Sequence, residues 1–289
     1  MKSWLDGADE VPKEQRIGKD LHKELARCAS KVFYAQGKLV DITGPCRIIG
    51  DIHGHLDALI KIFDTYGWPE KTKYVFLGDY VDKGPNSCET VGLLFALMLK
   101  YPGQVTLLRG NHECPSISMN YGFLHECMTK YSYGTWLTYC RAFSKMPVAA
   151  VVNRKIFCCH GGLSPNLRQL ADIMHLGEPM SVPAKGLYTD LLWSDPKSGL
   201  RYLAKKPAWN FLAQNNLELV VRGHQCTPLG YFYDDTMKTV TLLSVPDFAG
   251  LTNDAAIISI VPEDQALKWS VEITHGSSGQ ENKPFTLTI

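Results

Sequence analysis

Six side chains that can bind a divalent metal ion lie in short polar stretches, each following an apolar run. They are Asp51, His53, Asp79, Asn111, His160 and His224. Carboxylate, amide and imidazole donors together suit ions such as manganese, iron or zinc. One catalytic ion with an open coordination position cannot use all six, so the set predicts two ions that share a bridging carboxylate. A water bound between two such ions becomes hydroxide near neutral pH, and paired ions are a standard device for attack on phosphorus.

The apolar runs before these residues predict buried strands whose ends present the polar side chains. The runs are residues 46–49, 73–77, 105–108, 155–159 and 217–221. Amphipathic patterns from residue 56 to near Gly67 and over 87–100 predict helices between the first three strands. In a fold of alternating strands and helices, sites form at the C-terminal ends of the strands. Asp79 alone could simply cap the next helix, but capping does not explain five such turns.

The remaining sequence predicts the other elements of one domain, which spans 1–275. In chain order these are a helix over 15–36, a helical region over roughly 119–145, loops and short helices over 170–210, a helix over 208–216 and short strands over 229–275. Residues 276–289 are polar and predict a short, loose tail.

Composition excludes several classes of function. The chain has 289 residues, 45% of them apolar, and its 30 basic and 29 acidic residues give a net charge of +1. This balance gives no support to nucleic-acid or membrane binding. No apolar stretch is long enough to span a membrane, and the N-terminus lacks a secretory apolar run. The nine cysteines form no CxxC zinc framework, so we expect reduced thiols in an intracellular protein of the cytoplasm or nucleus.

Motifs along the chain resemble the phosphoprotein phosphatase family of serine/threonine phosphatases, with several stretches close to its type-1 catalytic subunit. The family motifs are residues 50–54, 78–84, 110–113, 160–162 and 222–225, and the type-1-like stretches are 107–114, 121–123, 156–165 and 191–196. The similarity covers roughly residues 20 to 273 and keeps the order of the family. It implies an α/β (α+β) metallophosphoesterase fold, in which helices flank two packed mixed β-sheets and a dimetal site lies at the edge of the sandwich.

The resemblance also implies a role for each candidate residue. The first ion would be bound by Asp51, His53 and Asp79, and the second by Asp79, Asn111, His160 and His224. A hydroxide bridging the ions would attack phosphoserine or phosphothreonine in line. His112 would be the general acid that protonates the leaving oxygen, and Asp82 would orient it. These roles agree with general chemistry: an alkoxide leaving group needs a proton donor, and an imidazole needs a carboxylate to fix its orientation.

The positions that would bind substrate depart from the family pattern. Lys83 stands where the family has an arginine that clamps phosphate through two parallel hydrogen bonds, and a lysine offers only a point charge. A second clamping arginine is not present as such, and either Lys197 or Arg201 could replace it. Phe248 lacks the hydroxyl group of the family's tyrosine. The predicted substrate-binding residues are therefore Lys83, Tyr121, Asp195, Arg201 and Phe248.

Three functions fit the sequence. The leading prediction is a metal-dependent serine/threonine protein phosphatase, which the type-1-like stretches favour. The alternatives are hydrolysis of a dinucleoside polyphosphate or another small phosphoester on the same dimetal site, and a weakly active pseudophosphatase that binds partners. The complete set of candidate ligands argues against the last. We expect two divalent ions as cofactors, and phosphoprotein substrates and regulatory or targeting subunits as partners.

Overall fold

The computed structural model describes residues 10–195, 205–234, 237–263, 266–276 and 285–288. The helices are α1 (Lys19–Gln36), α2 (Leu56–Tyr66), α3 (Ser87–Lys100), α4 (Pro115–Ser118), α5 (Phe123–Lys130), α6 (Tyr133–Phe143), α7 (Ala171–Met174), α8 (Leu187–Trp193) and α9 (Lys205–Gln214). The strands are β1 (Leu39–Ile42), β2 (Cys46–Ile49), β3 (Tyr74–Phe76), β4 (Val105–Leu107), β5 (Ala149–Val152), β6 (Ile156–Cys159), β7 (Leu219–Arg222), β8 (Tyr231–Tyr233), β9 (Thr239–Leu242), β10 (Ala255–Glu263), β11 (Ala266–Thr274) and β12 (Phe285–Thr288). Short 3-10 turns lie at Lys13–Gln15 and Phe248–Gly250.

In the described part of the chain the strands form two six-stranded mixed sheets. Their orders are β1-β5-β6-β7-β9-β8 and β12-β11-β10-β2-β3-β4. Within the first sheet β6, β7 and β9 run parallel, and within the second β2, β3 and β4 do so. An isolated parallel bridge between Asp51 and Leu243 joins the two sheets just beyond the ends of β2 and β9. The C-terminal ends of six strands therefore converge on one edge.

Alternating side chains along the strands hold the layers together. Ile48 and Val75 belong to the apolar cluster between the two sheets, whereas their neighbours Ile49 and Phe76 belong to the cluster under α1, α2, α3, α5 and α6. A third cluster packs β5, β6 and β7 against α7, α8 and α9. Both faces of each central strand are thus buried, which explains the continuous apolar runs in the sequence. This is the predicted arrangement of two mixed sheets flanked by helices.

The structure refines one expectation and corrects another. The helical region over 119–145 is divided into short helices, because Gly122 has a φ of 130° and Ser132 caps a new helix by accepting a hydrogen bond from the backbone N–H of Thr135. The prediction of a loose tail is wrong for Phe285–Thr288, which forms β12 and pairs antiparallel with β11. Among the described residues, no helix combines the length and the hydrophobicity that spanning a membrane requires.

Candidate metal centre

The six predicted metal ligands meet at the edge where the parallel strands end. Asp51 and His53 follow β2, Asp79 follows β3, Asn111 follows β4, His160 follows β6 and His224 follows β7. All are buried except His224, which is partly buried. A buried cluster of carboxylates and imidazoles needs strong compensating partners, because each charged or polar group has lost its water.

The backbone at this edge is unusual. Five residues of the site have a positive φ: His53 (46°), Asp79 (55°), Asp82 (70°), Lys83 (69°) and His224 (70°). Non-glycine residues rarely adopt this region, and each instance costs on the order of 1–3 kcal/mol. Such strain persists where the surrounding structure enforces it, and it is concentrated at functional sites.

Two glycines allow the strand ends to approach one another. A Cβ atom on Gly110 would lie 2.2 Å from Asp79 Oδ1 and 2.4 Å from the Asp79 backbone nitrogen. A Cβ atom on Gly223 would lie 2.3 Å from Asp51 Oδ1. Any side chain at either position would therefore displace a carboxylate of the cluster.

Asp79 lies at the centre of the cluster. His53 Nε2 is 3.4 Å from Asp79 Oδ2, and His160 Nε2 is 3.3 Å from Asp79 Oδ1. The polar atom of the Asn111 amide that faces the cluster is 2.8 Å from His160 Nε2, 3.2 Å from His224 Nδ1 and 3.1 Å from both Asp79 oxygens. Ligands bound to one ion at about 2.0–2.2 Å lie roughly 3 Å apart, so this spacing fits shared coordination.

The ligand atoms of the cluster fall into two groups, each of which could hold a metal ion. Those of His53, Asp79 and His112 lie within 4.8 Å of one another, as do those of Asp79, His160 and His224. Asp79 is common to both groups, whereas Asp51, which was predicted to bind the first ion, is in neither. His112 is also in the first group: its Nδ1 is bound to Asp82, and its Nε2 lies 3.9 Å from Asp79 Oδ2.

Two of the histidine rings, those of His53 and His160, each direct one nitrogen at the cluster. His53 Nδ1 donates to the Val81 carbonyl oxygen at 2.9 Å, which leaves the lone pair on Nε2, facing the carboxylates. Burial lowers the pKa of His53 well below its usual range, so the ring is neutral, as a ligand must be. His160 Nδ1 is buried and has no hydrogen-bond partner among the described residues; Asp51 Oδ1 lies 3.7 Å away. The other nitrogen of this ring, Nε2, is the one that faces Asp79 and Asn111, so it is the atom of His160 that could bind an ion.

Asp51 lies between the two groups. Both of its oxygens accept the backbone N–H of His224 at 3.1 Å, and Oδ2 is 3.9 Å from His53 Nε2. Burial raises the pKa of Asp51 to about 6, although His160 lowers it. A cation would favour the ionised form of this carboxylate, as it would for any buried acid.

His112 and Asp82 form a separate pair beside the cluster. His112 Nδ1 donates to Asp82 Oδ2 at 2.7 Å, and its Nε2 lies 3.9 Å from Asp79 Oδ2. Burial alone would lower the pKa of His112, but Asp79 and Asp82 outweigh it and raise that pKa above its usual value. Asp82 Oδ1 accepts the backbone N–H of Phe123 at 2.8 Å. The imidazole is thus oriented and can carry a proton, which are the properties of a general acid.

Two buried charged residues support the site, and the sequence reasoning did not assign them. Glu113 accepts backbone N–H groups from Asp79, Tyr80 and Gly110 at 2.8–2.9 Å, so its carboxylate ties the ends of β3 and β4 together. Burial raises the pKa of Glu113 to about 7, but we infer that these three donors keep it ionised. Its position directly after His112 was the available signal.

Arg222 supports the other sheet. It is fully buried and donates to the Ser194 carbonyl oxygen at 3.1 Å, to Asp195 Oδ1 at 2.9 Å and to the Gly161 carbonyl oxygen. An arginine that ends an otherwise apolar strand was the signal in the sequence. It joins the turns that carry His160 and His224.

The predicted substrate-binding residues occupy different environments. Tyr121 is 56% exposed and contacts the edge of His112, with ring centroids 5.4 Å apart. Lys83 is half-buried beside His53. Asp195 is paired with Arg222, and Phe248 is only 2% exposed, so neither offers its side chain freely to a ligand. Arg201, like its alternative Lys197, lies outside the described residues.

Comparisons with known proteins agree with this geometry. The family described as calcineurin-like phosphoesterase matches residues 45–228. A solved protein serine/threonine phosphatase from Saccharomyces cerevisiae, described as similar to human phosphatase PP5, shares 26% identity, covers 94% of each chain and superposes with a TM-score of 0.85. A cold-active protein-tyrosine phosphatase from a psychrophilic Shewanella shares 16% identity over 81% of each chain with a TM-score of 0.60, which is a likeness of fold.

Proposed function

The chain belongs to the calcineurin-like phosphoesterase family, and from this membership and its site we propose that it is a metal-dependent serine/threonine protein phosphatase. The residues present fit two divalent ions around Asp79. When bound, such ions would activate a water molecule and neutralise charge on the phosphoryl group. The 26% identity to the yeast serine/threonine phosphatase over 94% of each chain supports the same proposal.

The observation that carries the choice of substrate is the 2.7 Å hydrogen bond between His112 and Asp82. Serine and threonine leave as alkoxides, which are strong bases and need a proton as the P–O bond breaks. A phosphoanhydride releases a phosphate, which is a far weaker base and needs no such donor. A buried imidazole held by a carboxylate beside the metal cluster is therefore suited to a phosphomonoester of an aliphatic alcohol.

The side chains around the cluster would orient the general acid and bind the substrate. Asp82 fixes the tautomer of His112 by accepting from Nδ1, so the proton to be transferred is on Nε2, which faces Asp79. Lys83 supplies a positive charge for the phosphoryl oxygens. The exposed ring of Tyr121 next to His112 provides an apolar surface for the residues that flank the phosphorylated side chain.

The experiment compares His112→Asn with wild type on two substrates in the presence of manganese. We expect the variant to lose about 10²–10⁴ in kcat on a phosphoserine peptide, the usual contribution of a general acid. On p-nitrophenyl phosphate the loss should be much smaller, because p-nitrophenolate leaves without a proton. His125→Asn, which replaces an exposed histidine of α5, is the matched control and should behave as wild type.

Three results would contradict the proposal. Equal losses on both substrates would show that His112 does not act as the acid. A higher kcat/KM on diadenosine tetraphosphate than on the phosphopeptide would favour the small-molecule hydrolase. A wild type that does not exceed His112→Asn on the phosphoserine peptide and shows no manganese-dependent hydrolysis of p-nitrophenyl phosphate would instead indicate a pseudophosphatase.

A further inference from the structure

Two departures from the family pattern, distant in sequence, contact each other in the structure. The ammonium group of Lys83 lies 5.1 Å from the centroid of the Phe248 ring. The same ring stacks on His53, with centroids 5.1 Å apart and an angle of 19° between the planes. Lys83 Nζ is also 3.1 Å from His53 Nε2. Lysine, phenylalanine and metal-ligand histidine thus form a closed set of three contacts.

Backbone hydrogen bonds hold Lys83 beside His53. The Lys83 N–H donates to the Tyr121 carbonyl oxygen at 3.2 Å, and the next N–H, of Gly84, donates to the His53 carbonyl oxygen at 2.8 Å. A Cβ atom on Gly84 would lie 2.3 Å from that same His53 oxygen, so the two turns are as close as a glycine permits. The lysine side chain therefore starts from a fixed point next to the metal centre.

The ammonium group and a metal ion would use the same lone pair. Because His53 Nδ1 donates to the Val81 carbonyl oxygen, Nε2 is the acceptor for Lys83 and also the only nitrogen left for an ion. One lone pair cannot serve both. The compact ammonium of a lysine can approach this atom end-on, whereas the planar fork of an arginine is built for paired acceptors.

We propose that Lys83, seated on the ring of Phe248, competes with the divalent ion for His53 Nε2, so that binding of the ion releases the ammonium group to the substrate phosphate. This inference rests on the proposed dimetal phosphatase site. It makes Lys83 and Phe248 a single unit: the ring holds the ammonium beside the histidine, and the ammonium sets the affinity of the site for its ion.

The test is calorimetric titration of Mn²⁺ into the metal-stripped full chain. Lys83→Met keeps the length of the side chain and removes its charge. It should tighten Mn²⁺ binding at the site that includes His53 by about 10- to 100-fold, the range that corresponds to a hydrogen bond from a charged donor. In a Phe248→Leu background the same substitution should have a smaller effect, because the ring no longer holds the ammonium in place.

The matched control is Lys100→Met, which removes another lysine with its ammonium 5.1 Å from an aromatic ring, that of Tyr101, on the exposed end of α3. It should leave Mn²⁺ binding unchanged. With metal saturating, Lys83→Met should also weaken inhibition by inorganic phosphate, which a merely structural role would not predict.

The outcomes separate this inference from the proposed function. Unchanged or weaker Mn²⁺ binding by Lys83→Met would overturn the competition, and equal effects with and without Phe248 would overturn the role of the ring. Both results would leave the phosphatase proposal in place. Absence of Mn²⁺ binding by every variant would contradict both.

Discussion

Replacing Gly110 by alanine tests whether the close approach of the strand ends is required for activity. The added Cβ would lie 2.4 Å from the backbone nitrogen of Asp79, 2.2 Å from its Oδ1 and 2.7 Å from Glu113 Oε2. Gly110 has no positive φ, so the substitution adds no backbone strain and its effect is purely steric.

The size of the effect follows from these distances. Ordinary contacts of a Cβ begin at 3.4 Å, so the ends of β3 and β4 must separate by about 1 Å to accept the methyl group. A misplacement of about 1 Å in a catalytic site can cost roughly 10²-fold in rate. Overpacking of a buried position also destabilises the fold by about 1–3 kcal/mol. We therefore expect Gly110→Ala to lose about 100-fold in kcat and to unfold at lower urea concentration.

The assay measures kcat on a phosphopeptide at saturating manganese, with urea unfolding for stability. Gly223→Ala is the graded comparison, because the three atoms nearest its Cβ, at 2.3–3.5 Å, all belong to the side chains of Asp51 and His160. It should lower activity with a smaller loss of stability. Gly177→Ala, with no described atom within 4 Å, should behave as wild type. Wild-type kcat in Gly110→Ala would show that activity does not require the close approach of the β3 and β4 ends.

Two further substitutions test the buried polar groups. Arg222→Met should destabilise the fold by about 3–5 kcal/mol in urea unfolding, because it leaves Asp195 and the Ser194 carbonyl oxygen without their buried donor; a loss below about 1 kcal/mol would contradict this. Burial lowers the pKa of His22, which lies between the hydroxyl groups of Tyr131 and Tyr139, from 6.5 to about 4. The unfolded chain therefore binds the proton more readily, so this histidine should lower the stability of wild type relative to His22→Gln by about 3 kcal/mol as pH falls from 6.5 to 4. Urea unfolding of both proteins measures this difference, and parallel pH dependences would contradict it.

Much of the site was predictable because its residues follow local rules. An apolar run that ends in a glycine and an aspartate or histidine places that side chain at a strand end, wherever the strand lies in the sheet. Asp79 and His160 could thus be assigned to one edge without knowledge of the strand order. The order itself, in which β10 inserts between β2 and β11, depends on long-range pairing that no local pattern encodes.

Other features depended on contacts between distant segments. Lys83 and Phe248 were each identified as departures from the family, but nothing in the sequence indicated that they touch. The helix boundaries near Gly122 and Ser132 were readable in principle, since a glycine and an N-capping serine are local signals. The strand Phe285–Thr288 was missed because polar neighbours on its N-terminal side favoured the interpretation of a tail.

Glu113 and Arg222 are important because they stabilise the strained backbone of the site. Five residues with positive φ cost about 5–15 kcal/mol together, which is comparable to the whole net stability of a typical domain. Both buried charges bind backbone groups of the strand ends: Glu113 accepts from the turns that carry Asp79 and Gly110, and Arg222 donates to the turn after His160. A hydrogen bond to a buried charge is worth more than one between neutral groups, so these contacts can offset strain that apolar packing at a polar edge cannot. The positions of the candidate metal ligands therefore depend on two residues that we do not expect to touch the metals.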